Sequence, residues 1–271
     1  MILENASSFP SPRDFAPDHP SIMRRFYLPK NQINARIPAI TGPDARHITK
    51  VLRLGTDDEI RVFDGSGMEY EAKIVRYQGD NVFLEITNRF KCRKESDISI
   101  TVAQALLKDK KMDGLIRQLT ELGISRWIAF PAKRSVPTPS KKRMATRCSR
   151  WEKIAKEAVK QCERGKIPAI MTAENLDTVL KIAENCDKRL IFYEKARCNL
   201  SSPERRADAP LTIMMIIGPE GGFEPDEIEH AEKKGFDAIG MGPRILRAET
   251  AAVSACTLVQ YVFGDMGEKM P

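Results

Sequence analysis

The sequence has few of the residues that build metal sites. Its 271 residues include six cysteines and three histidines, and no two cysteines form a CxxC pair. Zinc sites group four ligands that are usually of these two types, so we predict no metal. Cysteines scattered in this way are typical of reduced, packed thiols, which favours a cytoplasmic protein.

The sequence also lacks any apolar run of about 18 residues, the length that suggests a membrane-spanning helix. Residues 1–22 contain several prolines and have neither the basic start nor the apolar core of a signal peptide. We therefore predict no membrane association. We expect residues 1–22 to be a mobile N-terminal extension, with Met23 as an alternative natural start.

The chain divides into two regions with different secondary-structure patterns. Short alternating segments, joined by turns such as Asp64-Gly65-Ser66-Gly67, predict strands and hairpins over the N-terminal third. From Ile98 onward strand and helix patterns alternate, which is typical of an α/β fold with a mostly parallel sheet and helices on both faces. We predict a small β-barrel over residues 23–92 and the α/β domain over residues 97–271.

Two glycine-rich loops follow strand candidates in the α/β domain. The apolar run "LTIMMII" ends at Gly218-Pro219-Glu220-Gly221-Gly222, and "DAIGM" continues into "GPRILRAET". The phosphate-binding patterns GxxxxGK[ST] and GxGxxG are absent, and Glu220 would repel a phosphate. Because ligands bind beyond the carboxyl ends of parallel strands, the two loops predict a pocket for an adenosine-containing ligand read by backbone groups. The alternative is a pair of strand-to-helix turns without a ligand.

These two loops, "IGPEGGF" and "MGPRILRAETAA", resemble those of the SPOUT methyltransferases, and in particular the small-subunit ribosomal RNA methyltransferase E family. Weaker matches are "RRFYLP", "HITKVLRL", "FDGSG", "LTELGI" and "EAVKQCERGKIP". The resemblance extends from Met23 to Asp265.

The resemblance implies a fold and an activity. The barrel would be PUA-like and would bind RNA, and the end of the parallel sheet would be threaded into a trefoil knot. The protein would act as a homodimer and transfer a methyl group from S-adenosylmethionine to N3 of a uridine in small-subunit (16S) ribosomal RNA. Carried over by position, the residues that bind the cofactor are Gly218, Glu220, Gly221, Gly222, Met241, Gly242, Ile245 and Leu246.

Two polar residues at the start of the last predicted helix match the target-facing positions of the family. Uridine N3 becomes a good nucleophile only after it loses its proton. We predict that Arg247 stabilises the charge that develops on the base and that Glu249 orients Arg247 or accepts the proton. The alternative is a salt bridge at the start of a helix.

A basic surface is predicted in the middle of the chain. The net charge is +7. The segment from Lys133 to Lys166 contains twelve basic residues and three acidic ones. With a ribosomal RNA or small-subunit partner, this segment would neutralise phosphates; the alternative is an ordinary solvated helix face. The residues we predict to bind RNA are Arg24, Arg25, Arg134 and Arg164; the alternative role for Arg24 and Arg25 is to anchor the first strand.

Two other functions remain open at this stage. One is a SPOUT methyltransferase that acts on another RNA atom, such as a ribose hydroxyl. The other is an RNA-binding assembly factor that keeps the fold without catalysis. Binding of S-adenosylmethionine separates the second from both enzymes, and mass mapping of ribosomal RNA separates the two enzymes.

Overall fold

The computed structural model describes residues 24–108, 110–198, 200 and 211–267. Within these residues the chain forms two sheets with separate apolar cores. The extension predicted over residues 1–22 lies outside the described residues.

The N-terminal domain is built on a five-stranded sheet. Its spatial order is β1-β3-β4-β5-β2, with β1 and β3 parallel and the other pairs antiparallel. Two short helices and a π-helical segment at His47–Leu52 connect the strands. The strands are β1 (Arg25–Tyr27), β2 (Ala39–Ile40), β3 (Glu59–Phe63), β4 (Met68–Gln78) and β5 (Asn81–Lys91); the helices are α1 (Lys30–Ile33) and α2 (Gly42–Arg46).

The predicted hairpin at Asp64–Gly67 joins β3 to β4. Gly65 and Gly67 have φ angles of +81° and +99°, which residues with a Cβ rarely adopt. The carboxylate of Asp64 accepts hydrogen bonds from the amide and hydroxyl of Ser66, at 2.8 and 2.7 Å. Local chemistry thus fixes the turn and sets the register of the two strands.

The second domain contains a six-stranded sheet in which every pairing is parallel. Its order is β11-β9-β10-β6-β7-β8. The strands are β6 (Ser99–Ala105), β7 (Arg126–Phe130), β8 (Ala169–Thr172), β9 (Lys188–Phe192), β10 (Thr212–Ile217) and β11 (Asp237–Ile239). The helices are α3 (Lys111–Glu121), α4 (Lys141–Cys162), α5 (Leu176–Ile182), α6 (Pro225–Lys233) and α7 (Ala248–Phe263).

Helices cover both faces of this sheet, as the alternating pattern predicts. One apolar core contains residues of α3, α4 and α7, and the other contains residues of α5 and α6. Strand β10 contributes to both, with Met215 in the first core and Met214 and Ile216 in the second. A strand buried on both faces has no polar alternation, and the predicted α/β class is confirmed. The threading of the chain into a knot stays a prediction.

The strand order sets the position of the two glycine-rich loops. They follow β10 and β11, and β9 lies between those two strands. All three strands are parallel, so their carboxyl ends meet at one edge of the sheet. The loops therefore share one edge, with the end of β9 as a third wall.

The two domains meet at the end of α4. The Arg25 side chain is 9% exposed and pairs with Glu69 at 2.6 Å, and it also donates to the carbonyls of Val159 and Arg164. The Arg164 side chain is 4% exposed; it pairs with Glu95 at 2.9 Å and donates to the carbonyl of Thr120 at 2.7 Å.

These contacts give no support to the prediction that Arg25 and Arg164 bind RNA. Both guanidinium groups are buried and their Nη1 and Nη2 atoms donate to protein acceptors, so they present almost no surface to a polyanion. Arg25 fastens the N-terminal domain to the end of α4, whereas Arg164 joins that end to the β5–β6 connection at Glu95 and to α3 at Thr120.

Candidate active site

A pocket of about 220 Å³ opens at the carboxyl ends of β9, β10 and β11. Its walls come from both glycine-rich loops and from the first turn of α7. The structure brings together all eight residues that the sequence predicts to bind a cofactor: Gly218, Glu220, Gly221, Gly222, Met241, Gly242, Ile245 and Leu246.

The end of β9 supplies pocket residues that the sequence analysis missed. Phe192, Tyr193 and Glu194 line the cavity, and the Glu194 carboxylate lies beside Gly222, where an added Cβ would be 3.4 Å from Oε1. The signal available in the sequence was the strand pattern "RLIFY" followed by a carboxylate. Only the sheet order shows that this strand end stands between the two loops.

Hydrogen bonds from within the protein shape the first loop. Gly222 has a φ angle of +69°, and its amide donates to the carbonyl of Pro219 at 3.0 Å. The side-chain amide of Gln104, fully buried at the end of β6, donates to the carbonyl of Gly218 at 3.0 Å. The loop is thus fixed from β6 as well as from β10. Gln104 is a second residue that the sequence analysis missed.

Glu220 is the carboxylate among the glycines, and its contacts are on the side of α3. Its Oε1 accepts from the backbone amide of Lys108 and from Nζ of Lys111, both at 3.1 Å. Partial burial alone would raise the pKa of Glu220, but hydrogen bonds from its own amide, the Lys108 amide and Lys111 outweigh burial and lower that pKa. Glu220 therefore ties the first loop to the β6–α3 connection.

The second loop packs closely at one glycine and is open at another. The amide of Gly240 donates to the carbonyl of Cys198 at 2.9 Å, and an added Cβ would overlap the carbonyl oxygen of Ala196. Gly242 has a φ angle of +89°, with nothing within 4 Å of an added Cβ. The Ile245 side chain is 86% exposed.

This pocket fits a nucleoside ligand. Within the described part of the chain, the amides of Met241 and Leu246 donate to no other backbone group, so they are available to a ligand. Apolar walls come from Phe192, Ile239 and Ile245, and open space lies beside Gly242. Backbone donors between apolar walls suit a purine base.

The two predicted catalytic residues occupy the start of α7 but do not pair with each other. Arg247 is the N-cap residue, with its side chain exposed. Glu249 lies in the first turn, where its Oε1 is 3.3 Å from Nζ of Lys111 and its buried Oε2 has no partner among the described atoms. The prediction that Glu249 orients Arg247 finds no support in this geometry, and the catalytic roles stay predictions.

Arg134 braces the first loop from the β7–α4 connection. Its guanidinium makes a bidentate pair with Glu224, at 2.8 and 3.0 Å, and donates to the carbonyl of Gly221 at 3.0 Å. The group remains partly exposed, so RNA contact by Arg134 stays a prediction. Arg24, at the start of β1, is exposed, and its role in RNA binding also stays a prediction.

The basic segment divides into two parts. Near the end of α4, Lys156 lies 3.7 Å from the centre of the Tyr27 ring and Lys160 pairs with Asp44 at 3.0 Å, so these cations join the domains. Near its start, Lys141, Lys142 and Arg143 are exposed. The exposed cations are therefore concentrated toward the start of the helix, with Lys153 as an exposed cation further along.

Membrane and metal features are absent from the part of the chain that the structure describes. None of its helices is long and apolar enough to cross a membrane. The same residues contain no group of three or more His, Cys, Asp or Glu side chains that could hold a metal ion.

Comparison with known proteins identifies the family. Residues 94–260 match the model of the RNA methyltransferase domain, and residues 40–87 match the RNA methyltransferase PUA domain. The ribosomal RNA small subunit methyltransferase E of Bacillus subtilis is 31% identical over 88% of this chain and 96% of its own. That of Mesomycoplasma hyopneumoniae is 33% identical over 87% of this chain and 98% of its own.

The chain belongs to the ribosomal RNA small subunit methyltransferase E family. The resemblance inferred from the two loops is thereby confirmed, as is the PUA-like nature of the first domain.

Solved structures agree with membership of the methyltransferase E family. A methyltransferase E of Neisseria gonorrhoeae, bound to S-adenosylmethionine, has a TM-score of 0.74 and 28% identity, covering 90% of this chain and 99% of its own. A Legionella pneumophila protein with bound cofactor SAM has a TM-score of 0.77 and 29% identity over the same shares.

Proposed function

We propose that the protein methylates N3 of a uridine in small-subunit (16S) ribosomal RNA with S-adenosylmethionine as methyl donor. Membership of the methyltransferase E family supports the reaction, and the single observation that carries it to this chain is the pocket formed by the two glycine-rich loops. The donor supplies an electrophilic methyl group, and the protein's main task is to place the acceptor atom against it.

The two loops would hold the donor through backbone groups. The amides of Met241 and Leu246 would contact the purine, between the apolar walls formed by Phe192 and Ile239. The carboxylate of Glu194 stands in the same lining, where it would stabilise a ligand that carries positive charge.

The first turn of α7 would receive the acceptor base. Arg247 lies between two residues that line the pocket, Leu246 and Ala248, and its exposed guanidinium would stabilise the uridine anion. Glu249 has one buried carboxylate oxygen without a partner among the described atoms, and once uncovered by the arriving acceptor this oxygen would hydrogen-bond to the base or accept its proton.

The target uridine must be unpaired when it reacts. N3 lies on the Watson–Crick edge, so a paired base would have to leave its stack before N3 could approach the donor. A duplex should accordingly be a poor substrate.

The remaining surfaces fit a ribosomal RNA partner and a second copy of the chain. The exposed half of α4 and the PUA-like domain would contact RNA, mainly through phosphates. On α7, Tyr261 is 63% exposed and Leu258 is 40% exposed, which favours a homodimer through this helix. With a ribosomal RNA substrate, the enzyme would act in the cytoplasm.

Mass mapping of small-subunit ribosomal RNA tests the proposed reaction. RNA would be compared between a strain without the gene and the same strain with the gene restored. We expect one 3-methyluridine to disappear and return. Loss of a ribose methyl group instead would assign another acceptor atom, and an unchanged map combined with no calorimetric binding of S-adenosylmethionine would indicate a non-catalytic factor.

A further inference from the structure

Lys111 connects the two loops of the pocket although it belongs to neither. It is the first residue of α3, and its Nζ lies 3.1 Å from Oε1 of Glu220 and 3.3 Å from Oε1 of Glu249. Glu220 stands in the first loop and Glu249 in the first turn of α7, directly after the second. One ammonium group therefore bridges the donor-binding loop and the helix that would receive the acceptor.

The surroundings of Lys111 differ from those of an ordinary surface ion pair. The side chains of Lys111, Glu220 and Glu249 are 33%, 25% and 29% exposed, so solvent screens the group only partly. Hydrogen bonds from Lys111, first to Glu220 and then to Glu249, outweigh partial desolvation and raise the pKa of Lys111. The ammonium group therefore keeps its charge throughout the neutral range.

The two carboxylates depend on Lys111 to different extents. Glu220 also accepts a hydrogen bond from the backbone amide of Lys108, so it keeps one anchor if the ammonium is removed. In the described part of the chain, Lys111 is the one ion-pair partner of Glu249, and Oε2 of Glu249 has no hydrogen-bond partner there. Without the ammonium, Glu249 would lose its orientation.

We propose that Lys111 is a positioning residue that holds Glu249 toward the acceptor base and couples it to the donor loop through Glu220. The inference rests on the proposed function for the identity of the acceptor. Its action on the acceptor base is indirect and passes through Glu249, since Lys111 itself does not line the pocket.

The test compares Lys111→Met, which keeps most of the chain length and removes the charge, with Lys110→Met as a matched control. Lys110 is the adjacent lysine and is exposed. At saturating donor we expect Lys111→Met to slow methyl transfer by about 100-fold, because a small displacement of a catalytic group costs about that much. Donor affinity, measured by calorimetry, should fall by much less because Lys108 still anchors Glu220. Lys111→Arg should recover most of the rate, and Lys110→Met should match the wild type.

A double variant separates positioning from a general structural role. If Lys111 acts through Glu249, Lys111→Met combined with Glu249→Gln should be no slower than the slower single variant. Multiplied effects would overturn the inference, as would wild-type rates in Lys111→Met or a rate loss accompanied by a matching fall in thermal stability.

Failure of the proposed function gives a different result. In that case the wild-type protein would not methylate small-subunit RNA at all. Calorimetry would then decide the coupling of the loops: a loss of donor affinity in Lys111→Met but not in Lys110→Met supports it, and equal affinities overturn it.

Discussion

Glu220 sits among glycines, where its carboxylate accepts hydrogen bonds from Lys108 and Lys111. The glycines let the loop turn, and the carboxylate ties that turn to a neighbouring connection. Because its pKa is lowered, the tether is complete at and above the ordinary glutamate pKa of 4.5. It is lost only as the pH falls below that value.

Two glycines of the second loop should respond differently to an added methyl group. In Gly240→Ala the Cβ would overlap the backbone of Ala196, so the loop must move and donor affinity should fall steeply. Gly242→Ala meets open space but retains a positive φ, which costs about 1 kcal/mol. Calorimetry with S-adenosylmethionine and denaturant unfolding would measure both effects. Equal losses in the two variants would show that the close contact at Gly240 is unimportant.

The buried thiol of Cys256 should make stability depend on pH above neutrality. Burial raises its pKa to about 12, so the folded protein keeps the thiol neutral while the unfolded chain ionises it near pH 9. The stabilisation that comes from the neutral Cys256 thiol is therefore complete below pH 9 and is lost as the pH rises toward 12. Between pH 8 and pH 10, loss of this stabilisation should lower the free energy of unfolding by about 1 kcal/mol.

Comparison with Cys256→Ala isolates the contribution of the thiol to the pH dependence of stability. The variant should lose less stability than the wild type over that pH interval, whatever its stability at pH 8. Parallel pH profiles would mean that the thiol is not the group responsible. Iodoacetamide at pH 8 should modify the exposed Cys198 and leave Cys256 unmodified in the native protein.

At the scale of elements, α4 performs two tasks along its length. Its first half presents exposed cations, whereas its end docks the N-terminal domain through Lys156 and Lys160. A count of basic residues could not separate the two halves, because charge is visible in a sequence and burial is not.

Arg164→Met should destabilise the packing of the α4 end against α3 and the β5–β6 connection, and because the guanidinium is buried it should leave RNA affinity almost unchanged. It leaves the carbonyl of Thr120 and part of the Glu95 carboxylate without a donor in a buried place, which should cost about 3 kcal/mol. Urea unfolding would measure the loss, and Lys153→Met, an exposed change on α4, should cost almost nothing. A normal unfolding curve with reduced RNA affinity would restore Arg164 as an RNA contact.

The sequence predicts secondary-structure elements and local loops well, but it does not predict contacts between residues that are distant in the chain. Apolar periodicity predicted the α/β class, because a strand such as β10 is buried on both faces and shows it in its residues. The loop glycines were predictable because their chemistry is local. Lys111 was not, since 109 positions separate it from Glu220, and only the folded sheet brings them together. The same holds for Glu194 at the end of β9.

At the scale of the molecule, the net charge of +7 supplies a general attraction for RNA. The exposed start of α4 concentrates part of that charge. If it contacts phosphates, each contact releases counterions and makes the affinity depend on salt.

Lys142→Gln with Arg143→Gln should therefore flatten the dependence of RNA affinity on salt. The slope of log affinity against log salt should fall by about 1.5, from roughly 0.7–0.9 per phosphate contact. Lys181→Gln with Lys234→Gln removes the same charge from exposed positions at α5 and the end of α6 and serves as the control. Equal slopes for the two pairs would mean that the RNA does not lie along α4.

The most direct test of the central claim uses the purified protein, deuterated-methyl S-adenosylmethionine and small ribosomal subunits from a strain that lacks the gene. Nucleosides from the treated ribosomal RNA would be analysed by mass spectrometry. The account predicts label in 3-methyluridine from the small-subunit RNA, and none when Gly240→Ala replaces the wild type. Label in a ribose methyl group, or no label with a folded wild-type preparation that binds the donor, would contradict it.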